Sequence, residues 1–343
     1  MLTRVFFGCA DDAIGKFDKS TLSQQSLMEL FIFGLDRVED ISGSRDDPEE
    51  VCTWKGITCN AEGEAEKFDW IKNYDNGTGT ISLKFLPCSI KQLNMSSNTL
   101  VGTIEIANLP ENMEVLNIGQ NQLSGSLHLD DLPSSMKQFI LSNNKFTGEI
   151  ALEHLPEGLN ILHLENNQLR GTICLTSLPQ ALTVLYLNRN AFEGSMNLTQ
   201  LPESIRIIQL YDNMFSGEID ISHLPEGLTD LCAHMNRLSG SVCLISLPPA
   251  LKRLHLNRNR FEGSLDLTRL PKNMVGIRLG DNMFSGEIDL DHLPKSLNDL
   301  DARNNRLRGT VCTPPGVFCW TGWTRTNRLF DGNIDLTVRG SSG

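Results

Sequence analysis

The dipeptide Leu-Pro returns every 23 residues through most of this 343-residue chain, and that period limits the possible folds more than any other feature. The prolines are Pro87, Pro110, Pro133, Pro156, Pro179, Pro202, Pro225, Pro248, Pro271 and Pro294. In the same frame run Asn98, Asn121, Asn144, Asn167, Asn190, Asn213, Asn236, Asn259, Asn282 and Asn305, each followed four residues later by a glycine, from Gly102 to Gly309. A unit this short cannot cover its own apolar side, so copies must stack and share one continuous core.

One unit reads Leu-Pro-x-x-L-x-x-L-x-L-x-x-N-x-F/L-x-G-x-I-x-L, and its centre alternates apolar and polar residues at the period of a strand. Framework residues such as Leu185 and Leu187, or Leu228 and Leu231, are expected to point inward. The asparagine amide carries donors and an acceptor, which suits it to satisfy backbone groups where the chain leaves the strand. Glycine then permits the bend, and proline, which cannot donate to a ladder, belongs outside the main sheet. The Gly-x-Ile-x-Leu alternation predicts a second, shorter strand. Blocks 155–223 and 224–292 match at roughly 40 of 69 positions, so a three-repeat superunit has been duplicated.

The L-x-x-L-x-L-x-x-N-x-F-S-G-E-I form resembles the leucine-rich repeat family, most of all its plant-type class, and Leu-Pro-punctuated repeats are similar to those of kinetoplastid leucine-rich repeat proteins. The resemblance covers roughly residues 66 to 338, and departs from the plant form where Glu-Ile-Asp-Leu, as at Glu287 to Leu290, replaces Ile-Pro. It implies a right-handed, curved α/β horseshoe solenoid of about twelve coils, mainly β, roughly 55 to 60 Å long from the usual strand spacing. Residues 52–59 resemble the C-x-W-x-G-x-x-C-type N-terminal cap of plant-type repeats, and apolar residues from Leu22 to Val38 have helical spacing. The expected organisation is a tail over 1–20, a helical and Cys-containing cap over 21–65, the array over 66–311, and a degenerate last repeat with cap and tail over 312–343. A worn repeat around Phe68, Trp70, Gly79 and Ile81 links cap to array, and Trp320, Trp323, Phe330, Gly332, Ile334 and Leu336 close the other end.

Cys52 with Cys59 and Cys312 with Cys319 share one C-x6-C spacing at opposite ends of the array, which predicts one disulfide per cap. Cys9, Cys88, Cys174, Cys232 and Cys243 are left over, and Cys174 and Cys243, three repeats apart at about 4.8 Å per strand, cannot bond. Unpaired thiols fit a reducing compartment and the cap resemblance fits secretion, so the compartment stays open, and sequons at Asn76, Asn94 and Asn197 do not decide it. The first ten residues hold only a fragment of an apolar run before Asp11 and Asp12, and no signal peptide is read there.

A net charge of −12, about two-thirds of it before residue 79, disfavours nucleic acid as a partner. No apolar run is long enough to span a bilayer. Phosphate-binding loops, dinucleotide fingerprints, H-E-x-x-H, C-x-x-C and nucleophile elbows are all missing, so neither enzyme nor cofactor is expected. His154, His223 and His292 share a column three repeats apart, about 14 Å between neighbours and too far for one metal ion.

The strand positions between framework leucines differ, because they vary from repeat to repeat without packing the core. One column runs His163, Tyr186, Gln209, Cys232, His255, Arg278, a second runs Glu165, Asn188, Tyr211, His234, Asn257, and beside them stand Arg189, Asp212, Arg258 and Asp281. Rings, imidazoles and guanidiniums are the side chains that dominate binding hot spots. The resemblance puts these columns on the concave face and implies recognition of a protein or peptide ligand there. The alternative is a structural subunit that uses convex or end surfaces.

Overall fold

The computed structural model describes residues 19–71, 78–321 and 324–339; Cys9, Asn76, Trp323 and nearly all of the tail expected over 1–20 lie outside them. Eleven strands, from Ala65–Asp69 to Asp299–Asp301, run parallel in a main sheet whose N-terminal edge is the antiparallel strand Ile57–Cys59. Leu162 lies against Leu185 and Leu185 against Ile208, so equal repeat positions form straight columns. The side chain on the strand's middle residue is fully buried, and its two neighbours face outward.

The solenoid thus has about eleven coils where about twelve were expected, and the difference is at the C-terminal end. Trp320 does not continue the main sheet. Cys319–Thr321 turns back in an antiparallel hairpin with Thr324–Thr326, and only Phe318 bridges to Asp299. The last repeat instead contributes Asp335–Arg339 to the second sheet. Phe330 is buried, but Ile334, expected to help close the core, is 97% exposed.

The second sheet is a second correction. It forms over the residues from just after the asparagine to the glycine, as in Ala191–Gly194 and Met214–Glu218, rather than over Gly-x-Ile-x-Leu. The bond that ties this segment to the next coil explains the shift: Phe192 N–H donates to Asn213 Oδ1 at 3.1 Å. Ile219 and Ile221 are buried without joining a ladder. Gly217 has φ +80°, a left-handed conformation that side-chain-bearing residues avoid.

Asparagine serves as a rivet between coils. Asn213 Nδ2 donates to Leu187 O, one coil back, at 3.1 Å and to Leu210 O in its own coil at 3.1 Å. Asn121, Asn144, Asn167, Asn190, Asn236, Asn259 and Asn282 repeat the arrangement. The prolines sit in tight turns on the far side, where Ile205 N–H donates to Pro202 O at 3.0 Å. Phenylalanines fill the core behind the second sheet, with Phe192 and Phe215 stacked 6.2 Å apart.

At the N-terminal end the helix Gln24–Ile32 starts at Ser23, whose hydroxyl accepts from Ser26 N–H at 3.1 Å. It buries Met28, Phe31 and Ile32, and Phe31 meets Phe68 of the first coil edge-on at 6.1 Å. Trp54 is buried and donates from Nε1 to Glu49 O at 2.7 Å. Gly56 is required here, since a Cβ would stand 2.2 Å from Asp69 O.

Cys52 and Cys59 form a disulfide with Cα atoms 5.7 Å apart. The bridge expected between Cys312 and Cys319 is not formed: Cys312 is exposed at the end of a second-sheet strand, whereas Cys319 is buried beside Asp301 of the main sheet. Spacing within a worn repeat did not reveal that the chain crosses between the sheets at this point. Alkylation before digestion of the unreduced protein is expected to link Cys52 to Cys59 and to label Cys312; a Cys312 to Cys319 peptide would overturn this arrangement.

Candidate functional site

Because side chains alternate across a strand, positions two apart share the outer face of the main sheet. The register His163, Tyr186, Gln209, Cys232, His255, Arg278 is continuous from strand to strand. The second column lies beside it as the chain leaves each strand: Asp212 N–H donates to His234 O, and Met235 N–H to Asn257 O, both at 3.0 Å.

The rings of the two columns are packed together. His163 stacks on Tyr186 at 4.3 Å and Tyr211 on His234 at 4.4 Å, both nearly parallel. His234 then meets His255 edge-on at 6.0 Å, and the Arg189 guanidinium lies 5.8 Å over Tyr211. Toward the N-terminus the same face carries Ser96, Gly119 and Ser142, so the large rings are confined to the later coils.

Crowding dries this strip. Burial, with Arg278, Arg258 and Arg189 nearby, pulls His234 down to about 4, and burial with Arg278, His234 and Arg253 pulls His255 down to about 3. Burial also lowers His163 and raises Glu165. At neutral pH the imidazoles are uncharged, each with one nitrogen able to accept. His234 Nδ1, His255 Nε2 and Glu165 Oε2 are buried without a hydrogen-bond partner, an uncommon state for polar atoms.

Cys232 Sγ lies 3.6 Å from His255 Nδ1, a pairing that invites comparison with a thiol nucleophile and its base. Burial and Asp230 push the thiol up to about 12 while its imidazole falls to about 3, so the proton stays on sulfur. An effective nucleophile needs the opposite shift. No group of three or more potential metal ligands occurs among the described residues. His223 and His292 sit apart in exposed turns, each 3.3 Å or less from its own aspartate, Asp220 and Asp289.

A third column faces the same way: Ile161, Val184, Ile207, Asp230, Arg253, Gly276, Asp299. Sequence spacing did not single it out, although period two places it on the face of Tyr186 and His255. Asp230 is 3% exposed and pairs with Arg253; Arg278 Nε donates to Asp299 Oδ2 at 2.7 Å; Arg303 grips Asp301 through two bonds of 2.9 Å. Gly276 leaves a gap in the column, a cleft of about 220 Å³ walled by Arg253, His255, Arg278, Asp299 and Trp320.

Arg189, Asp212, Arg258 and Asp281 occupy the residue before each ladder asparagine, where φ is between 55° and 57°. Arg258 is exposed, with Asp281 3.6 Å away. Gln209 continues the first column beyond Tyr186, and Asn257 the second beyond His234.

No family profile and no curated protein matches the chain. Solved structures do. The PEPR1–AtPEP1 structure is 25% identical with a TM-score of 0.61 over 84% of this chain and 46% of that one. The plant peptide hormone receptor RGFR1, solved in complex with RGF2, is 23% identical with a TM-score of 0.51 over 77% of this chain and 45% of that one. YopM, a leucine-rich effector protein from Yersinia pestis, is 24% identical with a TM-score of 0.51 over 74% of this chain and 78% of that one. The chain spans less than half the length of the first two. With a 23-residue period, one parallel strand per coil, an asparagine ladder and these structural neighbours, the chain is a leucine-rich-repeat solenoid.

Proposed function

We propose that this solenoid recognises a protein or peptide ligand, without catalysis, through the outer face of its main sheet, the concave face of the horseshoe. One observation carries the reading: stacked rings and partnerless buried polar atoms gather on one strip, from Glu165 and Tyr186 to His255. A ligand that brings polar groups to pair with these atoms and an apolar anchor supplies what the strip lacks. The Gly276 cleft, beside Trp320 and two arginines, is the natural seat for such an anchor. The RGFR1–RGF2 and PEPR1–AtPEP1 complexes support recognition as the class of function; they name no ligand for this chain.

The test is affinity capture from the native source, followed by binding measurements on variants. Tyr211→Ala and Arg258→Ala are each expected to weaken a captured partner roughly thirtyfold, the scale of losing an anchor worth about 2 kcal/mol. Glu218→Ala, exposed on the opposite surface, is expected to bind normally. Normal binding by both first variants with loss in the third would replace this reading with a structural subunit that uses its other surfaces.

A further inference from the structure

A sheet strand with nothing beside it presents a row of N–H and C=O groups to any extended chain it meets. The two long sheets have four such edges, and other parts of the chain lie against two of them. The first edge of the main sheet is the three-residue strand Ile57–Cys59, kept short and tied by the Cys52–Cys59 disulfide. At the first edge of the second sheet, Leu35 bridges Gly79, Asp36 N–H donates to Thr78 O at 3.2 Å and Thr80 N–H to Gly34 O at 2.9 Å. At the last edge of the main sheet, Leu300 N–H donates to Phe318 O, Ala302 N–H to Leu329 O and Asn304 N–H to Asp331 O, between 2.7 and 2.9 Å.

The fourth edge is Asp335–Arg339. It pairs with Arg306–Cys312 on one side, and no strand among the described residues pairs with the other. It lacks the proline or lysine that commonly protects an edge, and beside it Ile334 is 97% and Val338 46% exposed.

We infer that this strand is a homodimer interface, pairing antiparallel with the same strand of a second copy about a two-fold axis through Thr337. The sequence Asp335-Leu336-Thr337-Val338-Arg339 is complementary to itself in that register. Asp335 of each copy faces Arg339 of the other, Leu336 faces Val338, and Thr337 faces Thr337. Opposite charges, apolar pairs and paired threonines are the cross-strand combinations that favour a ladder. Parallel pairing in register sets Asp335 against itself and Arg339 against itself, which repels. Leu336 already packs against the core, so alternation places Val338 on the same side and the partner's Leu336 covers its exposed surface. The contact is isologous and closes at two copies.

One strand pair buries far less than the roughly 1,600 Å² of a standard interface, so the dimer is expected to depend on concentration. The chain's net charge of −12 opposes association, and the measurement belongs at about 0.15 M salt, where the screening length is about 8 Å. Light scattering on the full chain is expected to give 38.2 kDa at low micromolar concentration and to approach twice that value at roughly 500 µM. Arg339→Asp sets two carboxylates against the facing pair and is expected to weaken association at least tenfold. Asp335→Arg does the same with guanidiniums, although Asp335 also has Arg308 as its register partner within the chain. The double variant Asp335→Arg/Arg339→Asp restores opposite charges and is expected to recover the dimer. Both positions are exposed, and unchanged melting confirms that each variant folds. A protein that stays at its monomer mass throughout, or a dimer that ignores the single changes or is not rescued by the double one, overturns the inference.

Discussion

Acidification from pH 7 to pH 5 is expected to remove about 4 kcal/mol of folding stability through His234 and His255 together, since each loses about 2 kcal/mol over that range. Their folded values, about 4 and about 3, lie below the ordinary histidine value of 6.5. In an unfolded chain both rings take a proton near 6.5; in the fold they refuse it until the pH is far lower. Between these limits the unfolded state binds more protons, so stability falls as the pH drops. The cause is local: each ring is packed among other rings, with Arg278 nearby and no carboxylate paired to it. Glu165 and Asp299, both raised chiefly by burial, act in the opposite direction. The decisive quantity is therefore the difference between wild type and His234→Gln/His255→Gln in urea unfolding at the two pH values. Equal pH dependence in both proteins would show that the histidines are solvated and the strip is not dry.

Asn213→Ala is expected to cost about 3 kcal/mol, because an orphaned backbone group costs about 1 to 3 kcal/mol and one asparagine serves four: Leu187 O, Leu210 O, Phe192 N–H and, at 3.4 Å, Tyr211 O. Partial access to water at this coil keeps the total below the sum. At about 2 to 4 °C per kcal/mol for a chain of this size, the melting temperature should fall by roughly 6 to 12 °C. Hydrogen exchange should localise the loss to the coils on either side. The change lies off the recognition strip, so binding of a captured partner should survive at temperatures where the protein is folded. An unchanged melt would mean that water replaces the amide and that the ladder is decoration.

Period was legible in the sequence because the same physical problem recurs in every coil. Each strand exit leaves backbone groups that an amide can satisfy, and each bend needs a glycine, so Asn213 and Gly217 repeat as a pair. The two outward columns were legible because pairing without offset converts a 23-residue step into a neighbour in space. What was not legible depends on events that occur once. The turn of the chain at Cys319 has no second example to reveal it, and it separates Cys312 from the thiol expected to bond with it. Asp230, Arg253 and Asp299 stand where the repeat tolerates Ile161, Val184 and Ile207, and only the burial and pairing of the acids distinguishes them from ordinary strand residues. The stacking of His163 on Tyr186 and Tyr211 on His234 depends on side-chain rotation, which composition does not encode.

The asparagine ladder gives the molecule a direction. Asn213 Oδ1 receives the N–H of Phe192, 21 residues earlier, and the other internal asparagines reach back by the same step. Each coil is therefore completed by its successor. The first rivet reaches Trp70 O of the worn repeat, while at the far end Leu307 N–H must wait 26 residues for Asn333. During synthesis the growing chain carries one unfinished coil at its newest end, and every coil behind it is closed. A truncation after any whole repeat leaves the same open N–H one coil back from the cut. A truncation from the front strands different groups: without the coil before them, Asn213 Nδ2 loses Leu187 O and Arg206 N–H loses Thr183 O. A form shortened at the back should therefore exchange fastest at the second-sheet N–H of its new last coil, and one shortened at the front at the strand-entry N–H of its new first coil.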